Sequence, residues 1–171
     1  MSERTDKPEK EFEERVVSID RVSRTVKGGK RMRFRALVVV GNRNGRVGMG
    51  IGKANDVQGS IQKAVRQAKD RLIDVLIVNE TIPHAITHKY GSALIFLKPA
   101  PAGTSIIAGG AVRAVVELAG IRNVLSKIIG SSNNINNVRA TLETLQKLKT
   151  APATSRQAPR TASGPAPKEA A

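Results

Sequence analysis

A chain of 171 residues with 29 Lys plus Arg against 14 Asp plus Glu carries a formal charge of +15, an excess that repels itself unless a polyanion neutralises it. The length holds one ordinary domain or two small ones; the absence of cysteine excludes disulfides, thiolate metal sites, zinc-finger binding modes and thiol nucleophiles, and no run approaches the ~20 apolar residues of a membrane span. Aromatic residues make up 2% of the sequence (Phe12, Phe34, Tyr90, Phe96), too few for the stacking platforms that read single strands, so the composition favours folded RNA or duplex contacted through Lys, Arg and backbone groups.

In chain order, SERTDKPEKEFEER reads as a mixed, mostly acidic stretch, of which residues 1–10 are set apart as an N-terminal arm. It has no basic start followed by an apolar core, which predicts that there is no leader peptide and that the protein is cytoplasmic. From Arg15 to Val26, β-branched residues with Val17, Ile19 and Arg21 in alternation predict a strand. The sequence KGGK then turns the chain. From Arg31 to Val40 the alternation sharpens: Met32, Phe34, Ala36 and Val38 share a face predicted to enter a core, while Arg31, Arg33 and Arg35 share the outward one. GNRNG, Gly41 to Gly45, has hairpin-turn chemistry. Arg46 to Lys53 reads as a third strand, with Val47, Met49 and Ile51 on one face and Gly48, Gly50 and Gly52 on the other. That bare face is one that a ligand backbone, RNA included, or another protein element approaches closely. Asn55 and Asp56 start a helix whose apolar positions run from Val57 through Ile61, Ala64, Val65, Ala68, Leu72 and Val75 to Leu76. Its polar face, Lys63, Arg66, Lys69, Asp70, Arg71 and Asp74, is expected to hold ion pairs one turn apart beside unpaired positive charge.

A second unit begins near Ile77. NETIPHAITHKYGSALIFLKPA reads as two strands around Tyr90 and Gly91, with Pro83 at a strand start or edge. A loop, PAPAGTSIIAGG, leads to a helix from Ala111 to Ala119, then a strand, RNVLSKIIG, and a capped helix with Ile135, Val138, Leu142, Leu145 and Leu148 at helical spacing. From residue 150 to 171 the Pro, Ala, Ser and Thr composition offers no periodic apolar positions and predicts a disordered tail. The fold class is α+β, divided into residues 11–74 and 75–149.

Several motifs invite chemistry that their context does not support. GMGIGK, Gly48 to Lys53, lacks the first glycine and the Ser or Thr of a phosphate loop. His84 and His88 stand four apart, but their neighbours favour a strand in which both are half exposed, and no metal or other cofactor is expected. Asp70 and Asp74 read as members of a solvated helix face rather than an acid pair. The basic set Arg21, Arg24, Lys27, Lys30, Arg31, Arg33, Arg35, Arg43, Arg46 and Lys53 differs, because almost no acid interrupts it. It predicts nucleic-acid contact, and Gly28 and Gly29, lacking Cβ, let backbone N–H groups approach phosphate between the flanking lysines. No nucleophile and base stand together, so no enzyme is expected.

Two long motifs carry a resemblance. RVSRTVKGGKRMRFRALVVVGNRNGRVGMGIGKANDV with IQKAV, and GTSIIAGGAVRAVVELAGIRNVLSKIIGSSNNINNVRATLETL, resemble the two signatures of the bacterial small-subunit ribosomal protein S-five family, in that family's order. The resemblance implies a double-stranded-RNA-binding-like β-β-β-α domain without the usual first helix, followed by an α+β domain with a βαβ-type crossover. It implies a structural constituent of the small ribosomal subunit that binds small-subunit rRNA, touches the fourth and eighth ribosomal proteins, supports decoding accuracy and lies near the path by which mRNA enters. No homo-oligomer is expected. By motif match the loop directed at the rRNA head–body junction, near the spectinomycin site, is Arg21 to Gly29. The family's interface with the fourth protein falls on Ser105 and Arg113, with Ser105 standing where many relatives carry glycine. The alternative from another class is a non-ribosomal double-stranded-RNA-binding regulator.

Overall fold

The computed structural model describes residues 12–148; the expected acidic arm and disordered tail lie outside them. Long alternating stretches form β1 (Glu13–Val26), β2 (Gly29–Gly41) and β3 (Arg46–Ala54), followed by α1 (Val57–Lys69) and a short β4 (Leu72–Asp74). These strands make one antiparallel sheet in the order β1-β2-β3-β4. The chain continues as β5 (Ile86–Tyr90), β6 (Ala93–Pro99), β7 (Ile106–Ile107), α2 (Gly110–Ala119), β8 (Val124–Gly130) and α3 (Asn134–Gln146). The second sheet has the order β5-β6-β8-β7. Its β7 and β8 are parallel and joined through α2, which is the βαβ crossover, and the α+β class with a three-stranded start and a helix holds.

The glycine face of β3 is occupied from within. Ser60, Ala64 and Ala68, spaced four apart on α1, lie over Gly52, Gly50 and Gly48, spaced two apart on β3. Four helical residues rise ~6.0 Å and two strand residues ~6.7 Å, so the two small-residue ladders stay in step. A Cβ at any of the three glycines would overlap a carbonyl oxygen of α1. RNA therefore has no access to this face.

Six further expectations need correction. The first helix ends at Lys69 rather than reaching Leu76, because Leu72 and Ile73 pair with Gly48 and Val47 of β3 instead. Of the six charged residues read onto it, Lys69 pairs with Glu14 and Asp74 with Arg46, on strands and not one turn away, while Lys63, Arg66, Asp70 and Arg71 are in no ion pair among the described residues. A register shift between Val16 and Ser18 leaves Val17 bulged, so Val17 enters the larger core while Ile19 is 44% exposed on the opposite face. Met32 is 49% exposed, because β3 pairs with β2 only from Phe34 onward and no described element covers the hairpin beyond it. His84 lies in a bend before β5, so only His88 is a strand residue, facing Glu143 at 3.0 Å. The loop after β6 also contains β7, which its two-residue length concealed.

The two units share a core. Leu37, Val39 and Val47 of the first sheet pack with Val112, Val115, Ile95, Leu97, Val138 and Leu145 of the second unit, while Ala36, Val38 and Val40 face α1 on the other side. The β2–β3 turn docks on the end of α2: Arg43 N–H donates to Leu118 O (2.9 Å) and Gly45 N–H to Ala119 O (2.8 Å). Those bonds satisfy carbonyls that a helix C-terminus otherwise leaves without partners.

Candidate nucleic-acid interface

Beyond Phe34 the chain is a two-stranded ribbon. Arg21 to Val26 pairs with Gly29 to Phe34, and Lys27 and Gly28 form the turn. Five strand residues past the sheet place the tip about 17 Å out. Gly28 and Gly29 have φ of 96° and 147°, while a Cβ at either would meet nothing within 4 Å. Glycine is thus required there by backbone conformation, and its consequence is a tip with open space on every side.

Register sorts the side chains. Arg24 stands directly opposite Arg31, Val22 opposite Arg33, and Arg35 opposite Lys53, which puts Arg24, Arg31, Arg33 and Lys53 on one face. With Lys27 they rim a hollow of about 570 Å³ floored by Val22 and Val26. No acid lines it. Like charges directly opposite across strands destabilise an isolated ribbon by a few tenths to ~1 kcal/mol, so this arrangement costs stability unless an anion occupies the face. The other face carries Arg21, Ser23, Thr25, Lys30 and Met32.

Most of the described acids pair elsewhere; Asp56 and Asp70 are in no ion pair among the described residues. Arg35 pairs with Asp20 (2.9 Å), Arg43 with Glu13 (2.7 Å), Arg46 with Asp74 (3.1 Å) and Arg122 with Glu80 (2.7 Å), and Arg15 with Glu117. Among the described residues none of the ion pairs involves Arg21 to Arg33 or Lys53. Of the predicted basic set, Arg21, Arg24, Lys27, Lys30, Arg31, Arg33 and Lys53 are therefore gathered on the ribbon with unspent charge. Arg35, Arg43 and Arg46 hold the protein's own joints, the last two beside the second unit. Val22 and Val26, which shape the hollow, carry no charge and so gave no signal in the sequence.

The two residues placed at a protein interface meet around Ile106. Arg113 Nη2 donates to Ile106 O (3.1 Å), and Ser105 N–H donates to the Asn123 side chain (3.1 Å). Ser105 has φ 66°, a left-handed conformation that costs a non-glycine residue ~1–2 kcal/mol. Ser105→Gly should therefore stabilise the fold by about 1 kcal/mol after the extra freedom glycine has when unfolded. An unchanged or lower urea midpoint would show that the strain is absent.

A feature missed by sequence reading is the outer face of the second sheet. Register puts Leu94, Phe96, Leu125, Ile129 and Ile107 on the side away from α2 and α3, beside Lys89, Lys98 and Lys127. Ile107 and Ile129 are 54% and 47% exposed. Apolar residues on both faces of a strand read as complete burial, so sequence alone hides an open side.

Residues 12–76 match the family described as Ribosomal protein S5, N-terminal domain, and residues 88–157 match Ribosomal protein S5, C-terminal domain. The chain belongs to the ribosomal protein S5 family. As a member it is a structural, non-enzymatic constituent of the small ribosomal subunit that serves translation, with rRNA and other ribosomal proteins as partners. It sits in the ribosome, a cytoplasmic particle. Among the described residues no helix is long and apolar enough to cross a membrane, and no cluster of His, Asp and Glu has the makings of a metal site. The S5 C-terminal match continues past the described residues into the segment expected to be tail.

Proposed function

We propose that the β1–β2 ribbon is the chain's main rRNA contact, with Arg21, Arg24, Lys27, Lys30, Arg31, Arg33 and Lys53 neutralising phosphates and Gly28 and Gly29 giving the tip its close approach. The observation that carries this reading is the segregation of charge. Among the described residues, acids pair with Arg35, Arg43 and Arg46 and none pairs with the ribbon, whose charge suits an external polyanion. Arg35, Arg43 and Arg46 act behind it by linking strands of the first sheet through Asp20, Glu13 and Asp74. The family resemblance supports placing the tip at the head–body junction near the spectinomycin site. It also supports assigning Ser105 and Arg113 to contact with the fourth ribosomal protein, with the eighth as a further neighbour, and a part in decoding accuracy and in guiding mRNA as it enters. The proposed domain division puts the boundary after β4, with Val75 already in the shared core.

Gly28→Asp tests the tip. An anion facing phosphate should reduce stoichiometric co-sedimentation with small subunits at moderate salt and alter the spectinomycin response, and more so than Gly28→Asn, which carries the same backbone strain at φ 96° without the charge. Wild-type behaviour in both would remove the tip from the interface.

A further inference from the structure

We infer that the ribbon's RNA track continues along β3 into a second site, a hollow between β3 and α3 that takes one unstacked nucleotide of the rRNA. The inference rests on the reading of the ribbon as an rRNA contact. The hollow, about 390 Å³, has Met49, Ile51 and Leu142 as apolar lining and Arg71, Tyr90 and Arg139 as polar lining. It opens where β4 leaves β3. Their pairing stops at Gly48 opposite Leu72, so from Met49 onward β3 has no described strand on that side.

The charges around it suit an anion. Arg71 and Arg139 are exposed and in no ion pair among the described residues. Glu143, the carboxylate that lines the hollow, faces His88 Nε2 at 3.0 Å, and Lys147 Nζ stands 3.2 Å from the same nitrogen. Arg139 is held in position. Its Nη1 donates to the Tyr90 hydroxyl (3.0 Å), and its guanidinium carbon lies 5.9 Å from the ring centroid. The hydroxyl accepts that bond, which leaves its own proton to donate to a phosphate oxygen.

The strand edge suits a base. Gln67 Oε1 accepts the Ile51 N–H (2.7 Å), a side chain standing where a neighbouring strand would pair. Alternate residues of a strand direct their backbone groups to the same side, so Met49 turns its N–H and C=O to this edge as well. A base set against Met49 and Ile51 hydrogen-bonds that edge and stacks on the Tyr90 ring or the Arg139 guanidinium, with its phosphate at Arg71. One ring cannot read a strand, but it can seat a single base. An extended peptide fits less well, because the free edge is short and Gln67 already takes one of its N–H groups. The hollow is also continuous with the ribbon. Met49, Ile51 and Lys53 share a face of β3, and Lys53 belongs to the basic face of Arg24, Arg31 and Arg33. Met49 and Lys53 are about 13 Å apart along the strand, so a strand of RNA held by the ribbon runs on into the hollow.

Tyr90 is the protein's only tyrosine, so fluorotyrosine labelling of the full chain puts a single fluorine resonance at the hollow. Titration with hexauridylate or hexa-adenylate should shift that resonance, and a blunt RNA duplex should leave it in place. Arg71 makes no side-chain hydrogen bond or ion pair in the described structure, so Arg71→Ala should keep the parental thermal midpoint. It should nevertheless lose the shift and bind a transcript of small-subunit rRNA about fivefold more weakly, with the slope of log K against log salt reduced by about 0.7. Either an unmoved resonance with both single strands or parental affinity and slope in Arg71→Ala would overturn the inference. So would parental transcript binding by an Arg71→Ala chain that is excluded from assembled subunits, which would make the hollow a protein contact. Alanine at Lys27 and Lys30 separates this site from the ribbon, since it should weaken transcript binding while saturating single strands still shift the resonance. Failure at Arg71 alone leaves the ribbon reading standing; if the ribbon substitution has no effect on the transcript, the ribbon reading falls and the continuous track falls with it.

Discussion

Gly50→Val should lower the stability of the chain by about 3–4 kcal/mol, at the high end of what single substitutions do. The cause is local and one-sided. A Cβ at Gly50 would overlap the Ala64 carbonyl oxygen, with Ala68 N 2.8 Å away. These are backbone atoms of a helix, which have no rotamer to change. Relief requires α1 to lift from β3, and lifting it uncovers Ala36, Val38 and Val40, the smaller of the two cores. Ile51 would also lose the Gln67 side chain that accepts its N–H at 2.7 Å. Gly110→Ala is the control, since that position is open and alanine favours a helix by up to ~1 kcal/mol over glycine. Urea denaturation of the two variants separates the claims. Equal midpoints would show that the α1–β3 contact is looser than the register of small residues requires.

Replacing Arg24, Lys27, Lys30, Arg31 and Arg33 together by alanine should have the largest effect on binding. Small-subunit rRNA affinity should fall on the order of 10³-fold near physiological salt, given ~1 kcal/mol for each lost phosphate contact. Stability should stay within about 0.5 kcal/mol of the parent, or rise, because these side chains lie beyond the sheet and make no ion pair in the described structure. Removing the Arg24–Arg31 opposition relieves repulsion. The corresponding alanine variant of Arg35, Arg43 and Arg46 should behave in the reverse way, losing stability as the links to Asp20, Glu13 and Asp74 go, with a smaller direct effect on rRNA.

The strands and helices were legible because their alternation or helical spacing reflects which side is buried, and burial follows from side-chain chemistry in the same few residues. What was illegible depended on residues far along the chain. Met32 has the pattern of a core residue, yet its exposure is set by where β3 stops, at Ala54 opposite Phe34. Leu72, Val75 and Leu76 fit a helical period as well as the strand and core positions that Leu72 and Val75 take, and the pairing with β3 decides between them. Val17 and Ile19 read as one face until a single bulged residue parts them.

The interface was legible as a cluster and illegible as a subset. A run of basic residues without intervening acid announces a polyanion, but the acids that claim Arg35, Arg43 and Arg46 come from Asp20, Glu13 and Asp74, 15, 30 and 28 residues away. Only the folded sheet tells which cations remain for RNA. The S5 family supplies the partner class, and the register supplies the face proposed to meet it.

The most direct test of that account is the salt dependence of rRNA binding, parent against the five-alanine ribbon variant. Each phosphate contact adds about 0.7–0.9 to the slope of log K against log salt, so the variant should lose roughly 3.5–4.5 from the parental slope while keeping its thermal midpoint. Two parallel lines, offset or superimposed, would contradict the assignment of the ribbon as the phosphate-neutralising surface.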